Sequence, residues 1–423
     1  MRGLDGLEVV IVGAGIGGCA LALALQQVGI RSRLLEAAAE IKPLGVGLNL
    51  LPHAIRDLAQ LGLEDRLAGK GVLTQQLCFY TSKGQRIYSE LRGRAAGYSW
   101  PQISIHRGDL HSVLIDAVRE RLGADAIALG HKCIAVEQDA SGAIVRVQDP
   151  EGVALPPVRG SVVVCCDGVH SAARSAMHPA EAVPRYEGTT QYRGVTRWKP
   201  FLGGATMVYF GTIETGKLVI YPVRNNVDPD GHQLINWVIE VVRPADQLLR
   251  DWNRKSHVNE FSRHFDVCSF DWLDIPAVLR ANDAVYEYPM VDQDPLPFWT
   301  QGRITLLGDA AHPMMPRGSN GAAQAIIDAA TLAKLLVAST DPTAALKEYE
   351  AVRLPATASV VLANRDMAPD GIISIVEQRT KGGRFEKIED VISAEEMKNW
   401  QERYRQIAGF AVERMGAGKV AAK

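Results

Sequence analysis

The sequence predicts an α/β protein: a parallel-sheet domain split by an inserted antiparallel-sheet domain and followed by a helical extension. Three observations predict it. Two strand, glycine-rich loop, helix units stand over 280 residues apart. Between them, from 181 to about 290, apolar and aromatic residues alternate in strand-like runs. A Lys/Glu-rich tail then carries apolar residues at helical spacing. The length of 423 residues fits two or three domains better than one core.

The first unit is Val9-Val10-Ile11-Val12 followed by Gly13-Ala14-Gly15-Ile16-Gly17-Gly18. Four β-branched residues read as a buried strand. Gly13, Gly15 and Gly18 give the G-x-G-x-x-G of a Rossmann-like unit: Gly13 for the tight turn, Gly15 for close approach of a pyrophosphate, Gly18 for helix–strand packing. Ile16 and Gly17 open an Ala/Leu-rich helix whose unpaired N–H groups face the phosphates. A second strand, Arg33-Leu34-Leu35, ends in Glu36, an acid placed to accept hydrogen bonds from a ribose diol.

Next, Pro43-Leu44-Gly45-Val46-Gly47-Leu48-Asn49-Leu50 reads as a loop, either a plain connection or a close approach to something flat. Pro52 to Leu61 reads as a helix with Pro in its first turn, and His53 as a solvated or capping residue. Residues 75–90 form a hairpin about Lys83-Gly84, and 92–97 a loop. A strand at 102–105 runs into a helix from Arg107, which is either solvated or a phosphate or ribose contact. A second hairpin covers 132–148. The apolar strand 161–166 ends in Asp167-Gly168, at a carboxyl edge where α/β sheets bind ligands. Ser171 and Arg174 follow, with Arg174 placed to anchor that turn ionically.

From 181 onward the runs 192–198, 206–210, 218–221 and 234–239 predict an antiparallel sheet with aromatic lining. Such a lining is either core packing or the floor of an aromatic-ligand site. Helical segments near 255–266 and 274–281 close this domain. The strand Arg303 to Leu307 then ends in Gly308-Asp309-Ala310-Ala311-His312-Pro313, and Pro316-Arg317-Gly318-Ser319-Asn320-Gly321 leads into an apolar helix, Ala322 to Val337. Asp309 is placed to hold a sugar hydroxyl, and His312 reads as a structural hydrogen-bonding residue. Helix 343–353 continues through Pro355. Met397, Trp400, Tyr404, Ile407 and Phe410 predict an amphipathic helix docked on the body or on a partner subunit.

Composition excludes other classes. Net charge is −2 without a basic block, which argues against nucleic acid as a partner. No signal peptide is evident, and no run of 18 apolar residues predicts a membrane span. The six cysteines form no C-x-x-C pair, so free thiols in a reducing cytoplasm are expected.

Three pieces together, G-x-G-x-x-G with Glu36, Asp-Gly-x-x-Ser-x-x-Arg at 167–174 and Gly-Asp-Ala-Ala-His-Pro at 308–313, resemble the single-component FAD-dependent aromatic hydroxylases of the p-hydroxybenzoate and salicylate hydroxylase type. The resemblance covers roughly residues 7–365, with phenazine-modifying members nearest in character. It implies a Rossmann-like FAD-binding domain from 1–74, 100–180 and 284–360. The inserted antiparallel-sheet substrate domain is then 75–99 and 181–283, and the C-terminal helical segment is 361–423. It implies that Gly13, Gly15, Ile16, Gly17, Gly18 and Glu36 hold the adenosine diphosphate part of FAD, and that Arg107 contacts its diphosphate. Asp309 then holds the ribityl chain, and Pro316, Gly318, Asn320 and Gly321 flank the isoalloxazine. Gly47 and Cys133 join the cofactor set, and Asp167, Gly308 and Arg174 line the cleft. Many members carry an acid where this chain has Ile327, and Gly318-Ser319-Asn320-Gly321 replaces a commoner Gln-Gly or Ala-Gly pattern.

The implied activity is NAD(P)H-consuming hydroxylation of an electron-rich aromatic or N-heteroaromatic carboxylate or phenol by O2, through a C4a-hydroperoxyflavin, with or without decarboxylation. NADH or NADPH visits transiently, because one G-x-G-x-x-G serves one dinucleotide. Pro316, Arg193, Tyr209 and Tyr221 are the catalytic candidates, with Arg193 suited to a carboxylate. The expected assembly is a monomer or homodimer. The alternatives are a flavin reductase or dehydrogenase on the same fold, and a non-catalytic aromatic-binding flavoprotein. The W-x-W-x-I-P signature of flavin halogenases is absent.

Overall fold

A computed structural model of the chain describes residues 6–42, 45–181, 184–243, 254–266, 269–366 and 370–411. The strand Glu8–Val12 lies inside a six-stranded sheet, between Val162–Cys165 and Arg31–Leu35, and pairs parallel with both. Val9, Val10 and Ile11 are fully buried. A strand covered on both faces needs such an unbroken apolar run. Ile304–Leu306 extends the sheet beyond Val162–Cys165, so the strands that precede the two glycine-rich loops and the Asp-Gly turn are consecutive neighbours.

The helices are α1 (Ile16–Gln27), α2 (Pro52–Gln60), α3 (Glu64–Lys70), α4 (Arg107–Leu122), α5 (Ala172–Met177), α6 (Ile275–Arg280), α7 (Gly321–Ala338), α8 (Pro342–Asp366), α9 (Gly371–Thr380) and α10 (Ala394–Ala408). α1 packs against α4 and α7, and α7 also packs against α2 and α8. Leu21, Leu23 and Leu25 of α1 are fully buried, each contributing about 1.5–3 kcal/mol of transfer free energy. α7 is long and apolar enough to cross a membrane by composition. Its burial among α1, α2 and α8 is that of a core helix.

The second layer is an eight-stranded sheet in the order Arg254–Ser256, Val285–Asp292, Arg185–Trp198, Gln233–Val242, Lys217–Arg224, Thr206–Phe210, Gln76–Tyr80 and Arg86–Leu91. All pairings are antiparallel except Thr206–Phe210 with Gln76–Tyr80. The early hairpin thus joins strands over 120 residues later. Val285–Asp292, grouped by sequence with the parallel-sheet domain, is a strand of this sheet. One face of the sheet carries Trp237, Ile239 and Phe210 under Phe261, Phe265, Phe270 and α6. The other carries Tyr209, Val219 and Tyr221 and meets α9 and α10.

Three local expectations are corrected. Gly47–Leu50 is not loop but a strand, antiparallel to Gln102–His106, because its apolar side chains fill the core beside α2; Pro43 and Leu44 lie outside the described residues. The segment 255–266 is a short strand and two 3-10 turns, not a helix, since His257 and Glu260 cap so short a turn that no α-helix propagates. The helix expected to continue through Pro355 does so, α8 running unbroken across it. His53 is not solvated: it is 1 % exposed and stacks on Phe410 at 5.4 Å, and burial pushes its pKa down to about 3. The described cysteines, Cys19, Cys78, Cys133, Cys165 and Cys166, are free; Cys268 lies outside the described residues.

Candidate active site

Gly13 sits at φ +98°, and a Cβ there would lie 2.5 Å from the Cys166 carbonyl oxygen. A Cβ on Gly18 would lie 2.0 Å from the Gly13 oxygen, whereas one on Gly15 would meet nothing within 4 Å. The crossing is tight at both ends and open in the middle, where a diphosphate must approach the start of α1. Beside this opening, the Glu36 carboxylate accepts from Ala14 N and Ala38 N, each at 2.9 Å. Those bonds fix its orientation and leave lone pairs for a diol.

Arg107 begins α4 and is exposed, its stem against Gly45, with no carboxylate partner among the described residues. Asp167 accepts from Ala172 N at 3.1 Å through one oxygen; the other is buried without a partner, and burial raises its pKa. Asp309 is exposed in the turn after Ile304–Leu306. An open helix start, an oriented acid, an orphaned buried oxygen and unengaged Arg107 and Asp309 fit a bound dinucleotide such as FAD.

Arg174 does not face the cleft. It is 2 % exposed, pairs with Glu181 (Nε to Oε2, 2.8 Å) and donates to the Ala310 and Ala311 carbonyls at 3.0 and 3.3 Å. It therefore ties the Asp-Gly turn to the Gly-Asp-Ala-Ala segment, a structural anchor between two sequence motifs. Cys133 is also a packing residue on its side-chain side, the buried thiol 3.7 Å from the Ala135 carbonyl and pushed up to about 12. Gly47 has no room for a side chain because Val223 and Asn236 would lie 2.6 and 2.7 Å away; its N–H donates to Asn236 Oδ1 at 2.7 Å. That glycine admits the antiparallel sheet to the flank of the first domain.

Below the second glycine-rich loop, Asp328 of α7 is fully buried. One oxygen accepts from Gly308 N (3.2 Å) and contacts His312 Nε2 (2.6 Å); the other accepts from Arg353 Nε (2.7 Å). Burial alone would raise this carboxyl, but His312 and Arg353 outweigh it and hold it below the usual range. The loop above runs from exposed Pro316 to Gly321. Arg317 is held by Glu240 at 2.5 Å and Glu187 at 2.9 Å. Gly318 and Ser319 both adopt left-handed backbone, φ +70° and +60°. A Cβ on Gly318 would fall 1.6 Å from the Tyr404 hydroxyl oxygen. That hydroxyl accepts from Asn320 Nδ2 (2.8 Å) and donates to Asn364 Oδ1 (3.0 Å).

A narrow cleft, continuous with solvent, opens beside this loop. Phe79, Tyr88 and Tyr209 of the antiparallel sheet, Gly318 and Ser319 of the loop, and Tyr404 and Phe410 of the tail border it. Phe79 stacks between Tyr88 and Tyr209 at 4.5 and 5.4 Å. Of the four catalytic candidates, Tyr209 alone borders this cleft. Arg193 and Tyr221 lie outside it on the same sheet face. Arg193 donates to Gln191 Oε1 at 3.0 Å and lies over the Tyr288 ring at 4.7 Å; Tyr221 is buried near Asn236. Pro316 is at the loop's exposed start. Desolvation pushes both tyrosines well up, so they are neutral hydroxyl donors at neutral pH.

Sequence reading missed Tyr88, Glu90, Arg92, Tyr404 and Arg405 as site residues. The only available signals were the aromatic hairpin followed by Arg92, and the apolar stripe of the tail.

The family model described as "FAD binding domain" matches residues 6–250 and 290–364. The chain is 42 % identical to the phenazine 1,6-dicarboxylic acid hydroxylase of Lysobacter antibioticus over 363 residues, 85 % of this chain and 89 % of that one. It is 31 % identical to the aurachin C monooxygenase/isomerase of Stigmatella aurantiaca, over 82 % and 85 % of the two chains. The HpxO protein of Klebsiella pneumoniae, solved with FAD and uric acid, superposes with a TM-score of 0.74 at 24 % identity, covering 98 % of each chain. With the open glycine turn and its oriented acid, these matches show that the chain belongs to the single-component FAD-dependent aromatic hydroxylases.

Proposed function

We propose that this enzyme hydroxylates a planar aromatic or N-heteroaromatic acid or phenol, and that the cleft between the antiparallel sheet, the 316–321 loop and the tail receives it. The observation that carries this reading is the aromatic wall of Phe79, Tyr88, Tyr209 and Tyr404 against Gly318 and Ser319. Such walls bury a flat ring, and few polar groups then set its orientation. The 42 % identical relative that is named for a phenazine dicarboxylic acid supports a substrate of this shape.

FAD, when bound, supplies reduction by NADH or NADPH and activation of O2 for transfer of one oxygen atom to the ring. Gly13 to Gly18, Glu36, Arg107 and Asp309 would hold it, and the loop from Pro316 to Gly321 would flank its ring. The rest falls to the chain's own side chains. Tyr209 keeps its proton and donates a hydrogen bond to a substrate oxygen, which rules it out as the base for a phenol. Arg193 is a cation without a carboxylate partner among the described residues, on the same sheet face as the Glu240 that holds Arg317. It attracts the developing phenolate or a carboxylate from outside the cleft. Tyr404 and Phe410 cover the cleft and exclude water.

The single dinucleotide turn supports a transient visit by the nicotinamide. The net charge of −2 supports no nucleic-acid partner, and the free thiols support a cytoplasmic enzyme, monomeric or homodimeric. The test is oxygen-coupled NADH and NADPH oxidation with mono-, bi- and tricyclic aromatic acids and phenols, with product masses. A product heavier by one oxygen supports the reading, with or without loss of CO2. Turnover that substrates do not stimulate, or that ends only in hydrogen peroxide, overturns it. Product formation without oxygen favours a reductase.

A further inference from the structure

We propose that the C-terminal helix α10 supplies half of a carboxylate-receiving subsite: Arg405, beside Arg92 on a shared Glu90, leaves one uncompensated positive charge on the cleft wall. The inference deepens the reading above and rests on it for the aromatic nature of the substrate. Among the described residues, the charged ones that border the cleft are three: Glu90, Arg92 and Arg405. Glu90 forms an ion pair with Arg92 Nη2 at 2.6 Å through one oxygen and accepts from Arg405 Nη2 through the other. One carboxylate is thereby shared between two guanidinium groups. Each guanidinium has five N–H donors, and Arg92 Nε is buried without a partner among the described residues.

Two cations against one anion leave a net +1 among these residues, in a wall whose other members, Phe79, Tyr88, Tyr209 and Tyr404 among them, are uncharged. A charge so placed is costly unless an anion joins it, and planar guanidinium edges favour a carboxylate. An aromatic acid held there lies with its ring between the arginines and the Gly318-Ser319 turn. Arg405 is one residue from Tyr404, which is bonded to Asn320 of that turn, so the same helix fixes both ends of the substrate's position.

The experiment uses the full-length FAD-loaded enzyme and reads dissociation constants from perturbation of the flavin spectrum. The probes are 1-naphthoate and phenazine-1-carboxylate, each beside its neutral carboxamide. Arg405→Gln is expected to weaken the acids about tenfold and the amides less than about twofold, and Arg405→Lys to recover part of the loss. Glu90→Gln is expected to tighten the acids, a change of sign that a merely structural role would not produce. Should Arg405→Gln fail to fold, Glu90→Gln against wild type still decides. Equal weakening of acid and amide by Arg405→Gln, weaker acid binding in Glu90→Gln, or an acid preference abolished by Arg193→Gln instead would overturn the subsite. If the wild type prefers acids yet yields only peroxide, the subsite stands and the proposed hydroxylation falls. If it hydroxylates acids and amides alike, the reverse holds.

Discussion

At the scale of single residues, two atoms' worth of space decide cofactor binding and the acid limit of stability. Gly18→Ala places a methyl 2.0 Å from the Gly13 oxygen, between backbone groups that cannot yield. The expected outcome is a protein purified with little FAD, measured as the flavin to protein absorbance ratio. Gly29→Ala is a poor control because Gly29 needs positive φ, whereas Gly69→Ala meets nothing and should retain the flavin. Glu240 concerns proton linkage. Burial works against its charge, but Lys217 at 3.3 Å and Arg317 at 2.5 Å overcome that and hold its pKa near 2, against an ordinary 4.5. A depressed carboxyl contributes stability above its unfolded pKa and loses it as pH falls through the folded one. Glu240→Gln should therefore cost about 1.5–3 kcal/mol at pH 7 by removing a charge-assisted partner from two cations, Lys217 keeping Asp370 at 2.6 Å and Arg317 keeping Glu187 at 2.9 Å. It should also flatten the decline in stability between pH 4.5 and pH 2, as read by urea unfolding across that range.

At the scale of elements, α10 matters through what it touches. The Tyr404 hydroxyl joins Asn320 of the loop to Asn364 of α8. Tyr404→Phe keeps the ring and removes those bonds, for an expected loss of about 1–2 kcal/mol. A looser loop should also admit water to the cleft, so the variant should release more hydrogen peroxide per NAD(P)H oxidised than wild type; an unchanged ratio would show that the helix does not govern coupling. The elements themselves were largely legible. The two glycine-rich units were readable because each is local: strand, turn and helix sit within about thirty residues and carry their own periodicity. The cleft was not, because its wall joins residues 79, 88, 209, 318 and 404 by tertiary contact alone. His53 fails for the same reason. It opens a surface-looking helix, and the residue that covers it, Phe410, lies over 350 positions later. Arg174 was legible as an anchor yet not as a link to Ala310, since no local pattern encodes that pairing.

At the scale of the whole molecule, the two sheets are tied by particular bonds. Arg224 pairs with Asp109 of α4 at 2.6 Å, Gly47 donates to Asn236, and Arg365 of α8 pairs with Asp292 at 2.6 Å. These ties, with α9 and α10 packed on the antiparallel sheet, predict one cooperative unfolding transition rather than two, testable by calorimetry. FAD binds the folded form, so free FAD at a hundred times its dissociation constant should add about 2.7 kcal/mol. Stripping it should lower Tm without splitting the transition.

The position of Tyr404 and Phe410 along the chain also sets an order of events during synthesis. By the time α7 has left the ribosome, the glycine turn, Glu36, Arg107, Asp167 and Asp309 have all been made. The cleft still lacks its cover, since residues 404 and 410 follow more than sixty positions later. A nascent chain thus has its flavin-holding segments before the cleft proposed for the substrate is covered. Translation itself delays closure of the cleft until residues 404 and 410 have been made.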